Sequence, residues 1–189
     1  YFLIGDVSGK GVPASLVMAV TRSLFRNTAA HLKKPKAIVE SLTASLAEGN
    51  ETNMFVRLFV GILDLKSGNL AFCNAGHNPP VLCRPGEKAR YMQVLPNLPA
   101  GLMEGWQYEA QETCLPPGTM LYFYTDGVSE SENKAQELYS EERLLRDLEQ
   151  LKGETPQAVV ETVAARLRGH AAGAEQNDDI TMLCIRYKR

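Results

Sequence analysis

Three acidic positions sit where an apolar run meets a polar one. Asp6 follows Tyr1-Phe2-Leu3-Ile4 in the string GDVSGKG. Asp126 follows Met120–Tyr124 in LYFYTDG, and Asp178-Asp179 immediately precede Ile180–Ile185 in NDDIT. Short apolar runs bounded by Gly, Asn or Asp read as buried strands. If the last strand runs antiparallel to the other two, its start lies beside their ends, and all three sites meet at one rim of the sheet. Carboxylates gathered in this way repel one another and resist desolvation, and a divalent cation relieves both. Oxygen ligands without a Cys or His cluster suit Mg²⁺ or Mn²⁺ rather than zinc. Gly5 and Gly127, next to the acids, let the backbone come close to an ion, and a backbone carbonyl can add a ligand. Taken singly, each site reads more simply as a turn or a solvated strand end. Three strand-end acids in one chain favour the metal.

GDVSGKG also invites a nucleotide reading, since a glycine-rich loop between a strand and a helix can cradle phosphate. Its spacing fails the test. A P-loop has four residues between its first Gly and the Gly-Lys pair, followed by Ser or Thr. Here Asp6-Val7-Ser8 alone separate Gly5 from Gly9, and Gly11 follows Lys10. Lys10 then reads as a solvated residue at a helix start.

The elements that must position these acids follow from periodicity. Tyr1–Ile4 reads as a strand. Residues 12–30 read as a helix with Val12, Leu16, Val20 and Leu24 on one stripe, and 35–47 as a second. Residues 55–64 and 69–74 form a hairpin around Lys66-Ser67-Gly68. Strands follow near Val81, Tyr91, Tyr108 and over 120–124, then helices over 140–151 and 156–168. Thr155 and Pro156 stand at the N-cap and first position of the last helix. Residues 180–187 close the chain as a strand. Connections between strands are mostly too short for crossover helices, so the fold class is α+β with largely antiparallel sheets. Met18, Leu24 and Phe25 read as core, and Asn74 and Asn78 as turn formers.

A chain of 189 residues, 44% apolar and 22% charged, fits one domain with a sizeable core. Its net charge of −2, without a basic block, gives no purchase for nucleic acid. No apolar run is long enough to span a membrane, so no membrane contact is expected of this domain. Cys73, Cys83, Cys114 and Cys184 are scattered without a C-x-x-C pair, which argues against structural zinc and for a reducing, cytoplasmic setting. The chain starts at Tyr1 inside a strand-like run, which predicts a piece of a longer protein.

GDVSGKGVPA, NAGHNPP, LPPGTMLYFYTDGVSE and NDDIT, in this order, resemble the SpoIIE-like branch of the bacterial PPM-type metal-dependent protein serine/threonine phosphatases. The resemblance covers essentially the whole chain. It implies a four-layer αββα sandwich of two mainly antiparallel sheets flanked by helices, as a single PPM-type domain over 1–189, truncated at its N-terminus. It implies hydrolysis of phosphoserine or phosphothreonine at two Mn²⁺ or Mg²⁺ ions, which neutralise the phosphate and lower the pKa of a bound water toward about 7. By the same resemblance Asp6 bridges the two metals, the Val7 carbonyl is a ligand, Asp126 and Asp178 complete one shell, and Asp179 and Gly127 support. A further acidic ligand is implied upstream of Tyr1. His77 in NAGHNPP stands open between a general acid for the leaving oxygen and a structural residue of the turn before Pro79-Pro80. The implied partners are a phosphorylated regulatory protein, such as an anti-sigma-factor antagonist, and an upstream sensor or receiver domain, with a homodimer also in view. A non-catalytic phosphatase-like interaction module is the alternative.

Overall fold

The computed structural model describes residues 1–188. The chain runs β1 (Phe2–Val7), α1 (Gly11–His31), α2 (Pro35–Ala47), β2 (Val56–Leu63), β3 (Asn69–Ala75), β4 (Val81–Cys83), β5 (Arg90–Tyr91), β6 (Gln111–Cys114), β7 (Met120–Tyr124), α3 (Asp126–Ser129), α4 (Glu141–Gln150), α5 (Pro156–Ala171) and β8 (Met182–Arg186). It is α+β, with two antiparallel sheets in the orders β1-β2-β3-β6 and β5-β4-β7-β8. The chain divides into two compact units, Tyr1–His77 with Val94–Cys114, and Asn78–Gln93 with the residues from Leu115 on. Among the described residues no helix is long and apolar enough to cross a membrane.

The first unit holds the first sheet with α1 and α2. Val56, Leu58, Val60, Cys73 and Ala75 cluster with Ile38, Val39 and Leu42 of α2, while Val17, Leu24 and Phe25 of α1 pack against them. Phe2, Phe59 and Phe72 form a second apolar group, with Phe59 stacked on Phe72 at 5.2 Å. The stripe expected on α1 divides. Leu24 turns to the core, whereas Val12, Leu16 and Val20 are 73%, 62% and 51% exposed. The cause is the helical period: steps of four residues overshoot a full turn by about 40° each, so residues twelve apart no longer share a face. The strand expected at Tyr108 lies three residues later, as β6. Tyr108 is instead a buried anchor whose hydroxyl shares a hydrogen bond with Thr43 Oγ1 at 2.8 Å.

The second unit centres on β7, buried at every position. Met120, Tyr122 and Tyr124 cluster with Leu144 and Leu148 of α4 and Val159, Val163 and Leu167 of α5. Both helices are capped by a hydroxyl, the second at Thr155 as the sequence predicts. Ser140 Oγ accepts from Arg143 N, and Thr155 Oγ1 accepts from Ala158 N ahead of Pro156.

Candidate metal centre

Asp6 lies inside a strand and not after one. β2 is long enough to pair β1 from Phe2↔Gly61 through Val7↔Val56, so the ladder carries the acid opposite Arg57. The Asp6 side chain is 15% exposed, and Arg57 Nη2 donates to its Oδ2. Gly5 makes room for protein: a Cβ there would lie 2.6 Å from Leu58 Cδ2 and 3.2 Å from the Arg57 carbonyl oxygen. A side chain at residue 5 would crowd Leu58 and the Arg57 carbonyl, so glycine eases the close approach of β1 to β2. Just beyond, Ser8 pins the turn to the start of β2. Its amide donates to Phe55 O at 2.9 Å, and its Oγ accepts from Phe55 N at 2.8 Å. Gly9 and Gly11, at φ of 83° and 78°, then turn the chain into α1. Lys10 is exposed at the N-cap position and makes no side-chain capping bond, so the glycine loop is a strand-to-helix turn.

The second pair of acids is built from loops at a ladder end. β8 runs antiparallel to β7, and the ladder closes at Tyr124↔Met182. Next in the chain, Thr125 N donates to Thr181 O at 3.1 Å. The buried Thr125 Oγ1 donates to Asp179 O at 2.9 Å and accepts from Thr181 N at 2.9 Å. This hydroxyl clasps the NDDIT segment to the TDG turn. Asp126 opens the one-turn helix α3. A Cβ on Gly127 would stand 2.5 Å from Asp179 O and 3.1 Å from Asp178 O, closer than packing permits. Glycine here lets the segments that carry Asp126 and Asp178 touch backbone to backbone. Asp178 Oδ1 accepts from Asp179 N at 2.8 Å, and Gln176 Nε2 donates to Asp178 O at 2.8 Å. Asp126 and Asp178 are half-buried, whereas Asp179 is exposed.

The expected antiparallel meeting therefore holds for the start of β8 beside the end of β7. One common sheet rim does not: β1 belongs to the other sheet. Nor does Asp178-Asp179 directly precede its strand, since Ile180 and Thr181 stand outside β8 and the clasp engages Thr181. Among the described residues no group of three or more His, Cys, Asp or Glu side chains could hold an ion by itself. Mg²⁺ commonly takes one or two carboxylates and fills its shell with water. The juxtaposed Asp126 and Asp178 segments, all-oxygen in their donors, fit that class of ion.

His77 is 4% exposed, and its carbonyl accepts from Asn74 Nδ2 at 2.9 Å. Asn97 Nδ2 in turn donates to Asn74 O at 3.0 Å. Asn74 thus closes the turn around His77. Asn78 serves elsewhere, through a side-chain hydrogen bond with Tyr124. Burial pushes the thiols of Cys73, Cys83 and Cys184 up to about 12, 11 and 12, so at neutral pH they are protonated and poor nucleophiles.

Two residues that sequence reasoning passed over matter here. Arg57 is the charged residue in Met54–Leu63, an otherwise apolar or glycine run, and that isolation was a readable signal. Thr125 gave a weaker one, a hydroxyl trapped between a fully apolar strand and a turn.

This arrangement of two antiparallel sheets and helices is the fold of PP2C-type phosphatase domains, among them those of Pseudomonas aeruginosa SiaA and Bacillus subtilis SpoIIE. The chain belongs to the SpoIIE family: the model for stage II sporulation protein E matches residues 1–188. It is 30% identical to protein IcfG of Synechocystis sp., over 97% of this chain and 33% of that protein. It is 24% identical to the phosphoserine phosphatase RsbU of Bacillus subtilis, over 67% of this chain and 38% of that protein. The structure of the RsbU and RsbW domains of Rv1364c from Mycobacterium tuberculosis superimposes with a TM-score of 0.84 at 26% identity, covering 98% of this chain and 52% of that one. The chain thus spans between about a third and two fifths of the curated relatives IcfG and RsbU.

Proposed function

We propose that residues 1–189 form the catalytic domain of a divalent-metal-dependent protein serine/threonine phosphatase. It would serve as the output domain of a cytoplasmic bacterial signalling protein, regulated by a sensor or receiver domain upstream. The observation that carries this reading is the contact of Gly127 with the Asp178-Asp179 backbone, which brings the Asp126 and Asp178 segments together. Family membership and the PP2C-type fold support the same chemistry.

In this reading Asp126 and Asp178 would hold one ion, and Asp6 and the Val7 carbonyl would be further ligands, Asp6 shared between the two ions. Gly127 and Asp179 keep the two loops in contact. A phosphoserine monoester is a dianion and repels an anionic nucleophile. Bound Mn²⁺ or Mg²⁺ would neutralise that charge and acidify a water toward about 7. The protein's share is to place its carboxylates and keep them ionised. His77, buried and tied through its carbonyl to Asn74, is assigned to the turn and not to proton transfer. The substrate class is a phosphorylated regulatory protein, with an anti-sigma-factor antagonist as the specific candidate.

The test is release of inorganic phosphate from a phosphoserine-bearing regulatory protein, with Mn²⁺ and then with excess chelator. The expected result is turnover that requires the ion. Saturable Mn²⁺ binding without any turnover would contradict the proposal.

A further inference from the structure

Arg57 has no place in the sequence-level scheme, yet the ladder sets it directly opposite Asp6. The two side chains are 30% and 15% exposed, and the guanidinium donates to Asp6 Oδ2. A charge in an otherwise apolar strand needs a partner. Here strand register supplies it, by setting the two residues directly across the ladder from each other. The carboxylate it engages is the one that the proposed function gives to the metal. A carboxylate has room for more than one donor, but a second cation beside it lowers its attraction for a divalent ion.

We propose that Arg57 is a built-in counter-ion of Asp6 that competes with the divalent metal. It would hold the carboxylate in place and compensated before an ion arrives, and it would oppose the ion's entry. Metal occupancy then follows ion concentration over a higher range than the carboxylates alone would set. Arginine remains charged at any pH compatible with folding, so this opposition is permanent and is not titrated away. The inference rests on the reading of Asp6 as a metal ligand.

Calorimetric titration of the intact protein with Mn²⁺ tests it, using wild type, Arg57→Gln, Arg57→Met and Arg57→Lys. The two uncharged variants should bind Mn²⁺ about three- to tenfold tighter, in line with the worth of a partly buried ion pair. Arg57→Lys keeps the charge and should stay within about twofold of wild type. Without metal, the uncharged variants should lose about 2–4 °C of melting temperature. Circular dichroism checks folding, and either uncharged variant suffices if the other does not fold. Unchanged or weaker Mn²⁺ binding in the uncharged variants overturns the counter-ion role and leaves the metal site standing. Absence of saturable binding in all four proteins, wild type included, overturns the metal site and the counter-ion with it.

Discussion

Asp6 and the Asp126–Asp178 pair are held by different physics. Asp6 sits within a β-ladder, its backbone fixed by strand pairing and its carboxylate matched by Arg57. Asp126 and Asp178 sit beyond the end of the β7–β8 ladder, on segments joined by the Thr125 hydroxyl, the Thr125 N–Thr181 O bond and the Gly127 contact. The first region has charge compensation built in. The second brings two acid-bearing loops together through a hydroxyl clasp and close backbone contact. The second region should therefore be the more sensitive to small steric or hydrogen-bonding changes, and the first to changes of charge.

Gly127→Ala should break the second region most severely. The added methyl group meets two backbone carbonyls, which cannot swing aside as a flexible side chain would. A loss of about 2–4 kcal/mol is expected, read as a melting-temperature drop on the order of 5–15 °C. A variant as stable as wild type would show that the two loops are not held as described.

Thr125→Val should follow. It keeps the shape and leaves the Asp179 carbonyl and the Thr181 amide without their hydroxyl partner, for about 1–3 kcal/mol. Thr125→Ser should restore most of this. Chemical denaturation of the three proteins reads the difference, and a Val variant as stable as wild type, with the loss confined to Ser, would point to the methyl group instead of the hydroxyl.

How far these contrasts were legible in the sequence depends on what carried them. Buried strands such as Met120–Tyr124 and helix caps such as Thr155-Pro156 are local patterns, and the chain adopts them as written. Asp126-Gly127 and Asp178 announced themselves because turn chemistry and strand ends are also local. The extension of β1 past Ile4 was not, since it depends on the length of a partner strand fifty residues away. Nor was the division of the α1 stripe, because a spacing of four looks like a helical face over two steps and drifts off it over three. Arg57 and Thr125 act through neighbours that only the ladder and the clasp bring to them.

Cys73, in the core of the first unit, gives a pH-dependent contrast. Burial raises its folded-state pKa to about 12, above the ordinary thiol value. A raised folded pKa contributes stability that is fully present below the unfolded pKa and is lost as pH rises through the folded value. Denaturation midpoints should therefore fall as pH rises from about 9 to about 12, by on the order of 1–2 kcal/mol for this group at pH 10. Cys73→Ala should flatten the decline, and an unaltered slope would remove the thiol as its cause.

Ser8→Ala is expected to have the smallest effect. It removes one acceptor from Phe55 N at the edge of the first region, for about 1 kcal/mol. Its melting shift should be about 2–4 °C. A loss as large as that of Gly127→Ala would make the first region as delicately built as the second.

The central claim is the proposed one, that the Asp126 and Asp178 segments hold the ion of a metal-dependent phosphatase. Phosphate release from a phosphoserine substrate in Mn²⁺, measured for wild type and Asp126→Asn, tests it most directly. Asp126→Asn is nearly isosteric and should leave the fold and melting temperature close to wild type. It should lower Mn²⁺-dependent turnover by at least about a hundredfold, in the range that loss of one electrostatic group at a reacting centre produces. Turnover equal to wild type in a correctly folded Asp126→Asn protein would contradict the assignment.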